Sequence, residues 1–122
     1  MLEYFYAYCC DVLDGFGINP WHHIKAFCGK RGTQWPRVRK LHLALYPTCS
    51  ACGGTEDLEV HHVEPFQNAP NKEYYPANLI TLCEAPTRLC HFADGHLYSW
   101  RSWNKDVREW AARKLNAIQN RP

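Results

Sequence analysis

The chain reads as a small α+β domain in which two short strands lie among helices and bound metal supplies part of the stability. Three observations predict this. Helical patterns at 33–46 and from Asn104 onward flank two strand-like runs, 58–63 and 78–83. Cysteines appear as Cys49-x-x-Cys52-Gly53-Gly54, with a second pair, Cys83 and Cys90, further on. Histidines gather beside them, as His61-His62, His91 and His96. The 122 residues fit one domain, and a chain of this size buries roughly two-thirds of its unfolded surface, so a metal staple would add needed stability.

The elements follow in order. Residues 2–13 are apolar and aromatic and predict a helix, and 14–20 (DGFGINP) predict a turn, so 1–32 reads as an N-terminal helical extension. Trp21-His22-His23 carries no motif. Cys9, Cys10 and Cys28 lack metal spacing and read as small buried apolar side chains. Over 33–46, Trp35, Val38, Leu41 and Leu45 recur at helical steps, Pro36 suits the first turn and Pro47 stops the run. Arg37, Arg39 and Lys40 lie off that stripe and leave the helix a basic side.

After the tight CSACGG turn come a strand (58–63), an irregular loop (66–77), a second strand (78–83) and a helix beginning near Cys90. A last helix, 103–120, takes Asn104 as N-cap and Asp106 in its first turn. Its apolar stripe is Val107, Trp110, Ala111, Leu115 and Ile118. At helical spacing Trp100, Trp103 and Trp110 read as core, although the run WRSWNKDVREW interleaves aromatics with bases, Arg101 among them, and keeps a DNA contact open.

Seven cysteines in a short chain mean disulfides or metal. The start, MLEYFYAYCCDVL, has no basic leader region and is too short to span a bilayer, so the expectation is a reducing, cytoplasmic setting with no membrane partner. Net charge is only +2 but uneven. Residues 15–55 carry six bases and no acid, and 95–122 carry six bases against two acids, whereas 56–94 carry seven acids against two bases. Two basic segments around an acidic, histidine-rich middle suit a phosphate-backbone partner if a cation sits among the acids.

Cys49, Cys52, Cys83 and Cys90 can supply four thiolates to a closed tetrahedral zinc site, contributing on the order of 10 kcal/mol to folding. Six residues separate the second pair where two is usual, so a bulged loop must bring Cys90 back. Neighbouring side chains on a strand point to opposite faces, so His61 and His62 cannot share one task.

The series CSACGG, LEVHHVEPF, NLITLC and CHFADGH, over about residues 33–100, resembles the HNH endonucleases. The resemblance implies a ββα-metal core, a two-stranded antiparallel hairpin plus helix, with flanking helices and a structural zinc site in a nuclease domain spanning 33–122. It implies a metal-dependent endonuclease that hydrolyses DNA phosphodiester bonds and leaves a 5′-phosphate. His61 holds the position of a metal ligand with His91, and His62 that of the general base. Asn78 holds that of the asparagine that organises the loop and orients the base. Arg37, Arg39, Lys40 and Arg101 are candidates for the DNA backbone.

His96 follows His91 by five residues where four is common. On a regular helix five steps rotate a side chain about 140°, so a local π-bulge or break at Gly95 is needed to return His96 to the metal. Without one it packs or meets phosphate. Asp94 reads as solvated and Glu64 as at most near the ligands. The catalytic cation is Mg²⁺, Mn²⁺, Ni²⁺ or Zn²⁺, with a bias toward nitrogen-tolerant ions from the histidine at 61. Short chains of this architecture resemble phage or prophage forms, and sequence specificity is either weak or supplied by a phage or host protein partner. The alternative reading is a zinc-stapled DNA-binding module that does not cut.

Overall fold

The structure, a computed structural model, describes residues 32–121. Apart from Gly32, the predicted N-terminal extension lies outside the described residues, and with it Cys9, Cys10, Cys28 and Trp21-His22-His23. The described chain is mixed α/β: a two-stranded antiparallel sheet with helices and a four-cysteine cluster compatible with zinc. Helix α1 spans Trp35–Leu45, strand β1 Leu58–His62, strand β2 Leu79–Cys83 and helix α2 Val107–Gln119. Between β2 and α2 lies one π-helical turn, His91–Gly95. The loop between the strands, expected to be irregular, contains two 3₁₀ turns, Pro70–Lys72 and Pro76–Asn78, each opened by a proline with φ suited to a helical start. No described helix is long and apolar enough to cross a membrane.

Leu58 pairs with Cys83, Val60 with Thr81 and His62 with Leu79. This register sets the cysteine-bearing end of β2 beside the start of β1 and the histidines at the other end. Thr81 joins the sheet to the segment after α1, its hydroxyl donating to the Tyr46 carbonyl (2.9 Å) and its carbonyl accepting from Ser50 N–H (2.9 Å).

The core cluster is small. Ile80, Leu82, Ala85, Val107 and Ala111 pack around Cys49, Cys83 and Cys90, so the thiols are part of the apolar centre. Leu82 and Val107 are the only fully buried large aliphatic side chains among the described residues. A core of this size leaves a clear thermodynamic role for a metal staple.

Two helix faces differ from expectation. Leu41 and Leu45 are 55% and 73% exposed, whereas His42 is buried. Helix α1 therefore turns Trp35, Val38, Arg39 and His42 inward, a stripe with the same helical spacing as the predicted one but rotated from it. Along α2, Val107 and Ala111 are buried and Leu115 half-buried, but Trp110 and Ile118 are exposed. The helix also begins later than predicted. Asn104 folds the chain before it: its side chain accepts from Asp106 N–H (3.0 Å) and donates to the Asp94 carbonyl (3.0 Å). The Asn104 cap is thus used to bind the π-turn, and Asp106 becomes the residue before the first helical turn.

The rotated stripe has a direct test. Leu82→Ala should lower the unfolding free energy by about 2–5 kcal/mol, and Leu45→Ala, exposed in this fold, should change it by less than about 0.5 kcal/mol. Urea unfolding of the metal-loaded protein measures both.

Candidate functional site

The cysteine cluster forms at a turn that the sequence dictates. Gly53 adopts φ +76°, and its N–H returns to the Cys49 carbonyl (2.8 Å), while Gly54 N–H donates to Cys52 Sγ (3.4 Å). The long spacer before Cys90 is absorbed as expected by a bulged loop. Arg88 N–H and Leu89 N–H both donate to the Ala85 carbonyl (2.9 Å each), and Leu89 takes the left-handed conformation at φ 48°. All four sulfurs come within 4.8 Å of one another, unbridged by disulfide. Zinc–sulfur bonds of about 2.3 Å set tetrahedral sulfurs about 3.8 Å apart, and Cys52 Sγ lies 3.7 Å from Cys83 Sγ.

Cations surround these sulfurs. Arg88 donates toward Cys52 Sγ and Lys114 toward Cys90 Sγ, each at 3.6 Å. Burial pushes the Cys90 and Cys49 thiols up. For Cys52, burial acts upward but is outweighed by Gly54 N–H and then by its other hydrogen bonds, bringing it down to about 7. Buried thiols of this kind ionise together only against a bound cation, which is the chemistry of a structural zinc site. Lys114 also binds Asp94 at 2.7 Å. Asp94 is therefore buried and paired, not solvated as expected, and α2 ties the cysteine cluster to the π-turn.

The π-turn decides where the histidines go. His96 N–H donates to the His91 carbonyl (3.1 Å), a five-residue step in place of four. One extra residue per turn places side chains five apart on the same face. His91 and His96 thus face together, with ring centroids 4.9 Å apart, and His61 of β1 meets them at 5.1 and 4.9 Å. One ring nitrogen from each lies within 4.8 Å of the others. Gly95 permits this approach: a Cβ there would stand 3.1–3.2 Å from the His61 ring and Leu82 Cδ1.

Hydrogen bonds orient the rings. His91 Nδ1 donates to Glu84 Oε1 (2.8 Å), and His96 Nδ1 donates to the Ser102 carbonyl (2.8 Å). The His61 Nε2 is buried with no hydrogen-bond partner, and an orphaned buried nitrogen is costly unless something binds it. Burial, then the neighbouring imidazoles His91, His96 and His62, lower the His61 pKa to about 3. Burial lowers that of His96 as well. Three imidazoles, each with a ring nitrogen turned toward the others, fit a nitrogen-tolerant divalent cation.

His62, next along β1, meets other neighbours. Its ring tilts against Trp35 of α1 (4.6 Å), and its Nε2–H donates to the Glu73 carbonyl (3.0 Å). Asn78 is buried and pins the intervening loop: Oδ1 accepts from Glu64 N–H (2.8 Å), and Nδ2 donates to the Glu64 and Lys72 carbonyls (3.1 and 3.2 Å). The four histidines open on one cleft of about 320 Å³, with Trp35 and Trp100 on its walls. Among the basic candidates, Arg37, Lys40 and Arg101 are exposed, whereas Arg39 is half-buried and bound to Glu59 at 2.9 Å.

Trp100 corrects a sequence expectation. It is 60% exposed at the cleft edge, not core, and Trp110 is 44% exposed. Glu84, the Ser102 carbonyl, Arg88 and Lys114 were not singled out by sequence, because an acid seven residues before a histidine has no fixed geometric meaning until the intervening loop is known.

Fold and clusters together define a small metal-binding domain with four thiols at one end of a hairpin and imidazoles at the other. Residues 49–94 match the family model described as HNH endonuclease. Comparison with curated proteins and with solved structures gives no significant match.

The Glu84 contact makes a measurable difference. Glu84→Gln should weaken divalent-metal binding by the histidines about 10–100-fold while tightly held zinc stays at the cysteines. Isothermal titration with Mn²⁺ or Ni²⁺, beside elemental analysis, reads both.

Proposed function

We propose that this protein is a metal-dependent endonuclease that hydrolyses DNA phosphodiester bonds, its nuclease unit spanning residues 33–122 with 1–32 as an extension. One observation carries the reading. Within and just beyond the HNH segment, His61, His91 and His96 turn toward one another with the Nδ1–H of the last two engaged and the His61 Nε2 buried and unbonded, in the cleft that also holds His62. His61, His91 and His96 would hold a divalent cation, Mg²⁺, Mn²⁺, Ni²⁺ or Zn²⁺, and Cys49, Cys52, Cys83 and Cys90 a structural zinc. A cation in that position stabilises charge on the phosphoryl oxygens and on the leaving oxygen.

His62 acts as general base. Its Nε2–H is anchored on the Glu73 carbonyl, which orients the ring, and the imidazole takes the proton from the attacking water. The water oxygen bonds to phosphorus as the phosphorus–O3′ bond breaks, and the departing O3′ takes a proton from solvent water, leaving a 5′-phosphate and a 3′-hydroxyl. Asn78 acts at one remove: by fixing the carbonyls of Glu64 and Lys72 it holds the loop that carries the Glu73 acceptor. Arg37 and Lys40 on the outer side of α1, and Arg101 beside the cleft, supply phosphate contacts. Arg39 joins them only by leaving Glu59.

Supercoiled plasmid incubated with the protein and each of Mg²⁺, Mn²⁺, Ni²⁺ and Zn²⁺ tests this. Metal-dependent nicking is expected, reduced about 10²–10⁴-fold in His62→Ala. Plasmid binding without nicking, or equal nicking by the variant, would instead support a DNA-binding module that does not cut.

A further inference from the structure

We propose that Trp100 and Tyr98 form a stacking platform for an unpaired nucleobase next to the cut phosphate, making nucleic acid with an unpaired nucleotide at the cleavage site the preferred substrate. This deepens the nuclease reading and rests on it. Trp100 is 60% and Tyr98 73% exposed, although aromatic rings of this size ordinarily seek burial.

The rings are held in place. Trp100 leans on His96 (4.9 Å), Phe92 (4.8 Å) and His91 (5.5 Å), and Phe92 meets Tyr98 edge-on at 5.8 Å. The backbone beneath them is unusual. Leu97 and Tyr98 stand consecutively in the left-handed region, at φ 53° and 64°, a conformation that L side chains rarely adopt and that persists only when surroundings impose it. Tyr98 N–H donates to the Phe92 carbonyl and Ser99 N–H to the His96 carbonyl, both at 3.0 Å. The Ser102 hydroxyl donates to the His96 carbonyl as well. The fold thus holds a strained loop that leaves both rings exposed, with Trp100 on the wall of the histidine cleft and Tyr98 two residues before it in the chain.

Charge and position choose the occupant. Trp100 lines the same cleft as His61, His62, His91 and His96, and the exposed Arg101 and Lys105 follow it in the chain. Aromatic faces beside cationic side chains bind single-stranded nucleic acid, because every base has a π-face and every linkage a negative charge. Bases within a duplex have those faces covered by their neighbours, so only an unstacked base can reach the indole. With His91 and His96 directly behind Trp100, such a base would lie one phosphate from the hydrolytic site.

The test compares zinc-loaded full-length protein with Trp100→Ala, Trp100→Phe and Tyr98→Ala. Labelled DNA is used in three forms: single strand, perfect duplex, and duplex with one unpaired base. Anisotropy without added catalytic metal gives binding, and gel assays with Mn²⁺ give cutting. The preference for the unpaired forms over duplex should fall about tenfold or more in Trp100→Ala and recover in Trp100→Phe. Tyr98→Ala, whose ring meets Phe92 and no histidine ring among the described residues, should lower it in the same direction and guards against a Trp100 variant that disturbs the fold. An unchanged preference in both alanine variants overturns the proposal. Trp100-dependent binding with no cutting by the wild-type protein leaves the platform standing and removes the nuclease reading, whereas cutting with no such preference does the reverse.

Discussion

One extra residue in the turn after Cys90 governs the geometry on both sides of it. Cys90 belongs to the sulfur cluster and His91 to the imidazole cluster, so the same few peptide bonds must satisfy both. A regular α-helical turn would carry His96 about 140° around from His91. The five-residue step brings them to one face, and His61 closes the trio. Gly95 is the necessary companion, since any side chain there would meet the His61 ring. The cost of glycine and of irregular helix, about 1 kcal/mol for the residue alone, is accepted where two metal-binding groups meet.

The two clusters support one another mechanically. Lys114 of α2 reaches Cys90 Sγ and Asp94 together, and Asn104 holds the Asp94 carbonyl from the other side. Zinc in the four-thiol site would fix the bulged loop and hence the start of the π-turn. With few large aliphatic side chains fully buried among the described residues, the sulfur cluster occupies the place that a larger domain fills with leucine and valine. The hairpin then acts as a short rigid bar, with thiols at one end and imidazoles at the other.

Much of this was legible in the sequence because it depends on short-range spacing. Cys49-x-x-Cys52 with its glycines, the adjacent histidines on a strand, and the need for a bulge or break before His96 if it is to join His91 all follow from local geometry. The HNH segment is matched over residues 49–94. What was not legible depends on contacts between distant parts. The α1 stripe through Leu41 and Leu45 and the observed one through Arg39 and His42 share a helical period, and only the position of β1 chooses between them. The Asn104 side chain was free to cap a helix, but the π-turn claims it. Trp100 has the spacing of a core residue, yet two consecutive left-handed residues turn the chain outward before it.

The central claim is that the π-turn assembles a three-nitrogen metal site separate from the sulfur site. Cobalt(II) titration of the zinc-loaded protein tests it most directly. Visible absorption should show one further equivalent bound, with d–d bands and no thiolate charge-transfer band, and this binding should be lost in His96→Ala while zinc is retained. A thiolate band from the added cobalt, or undiminished binding by the His96 variant, would contradict the account.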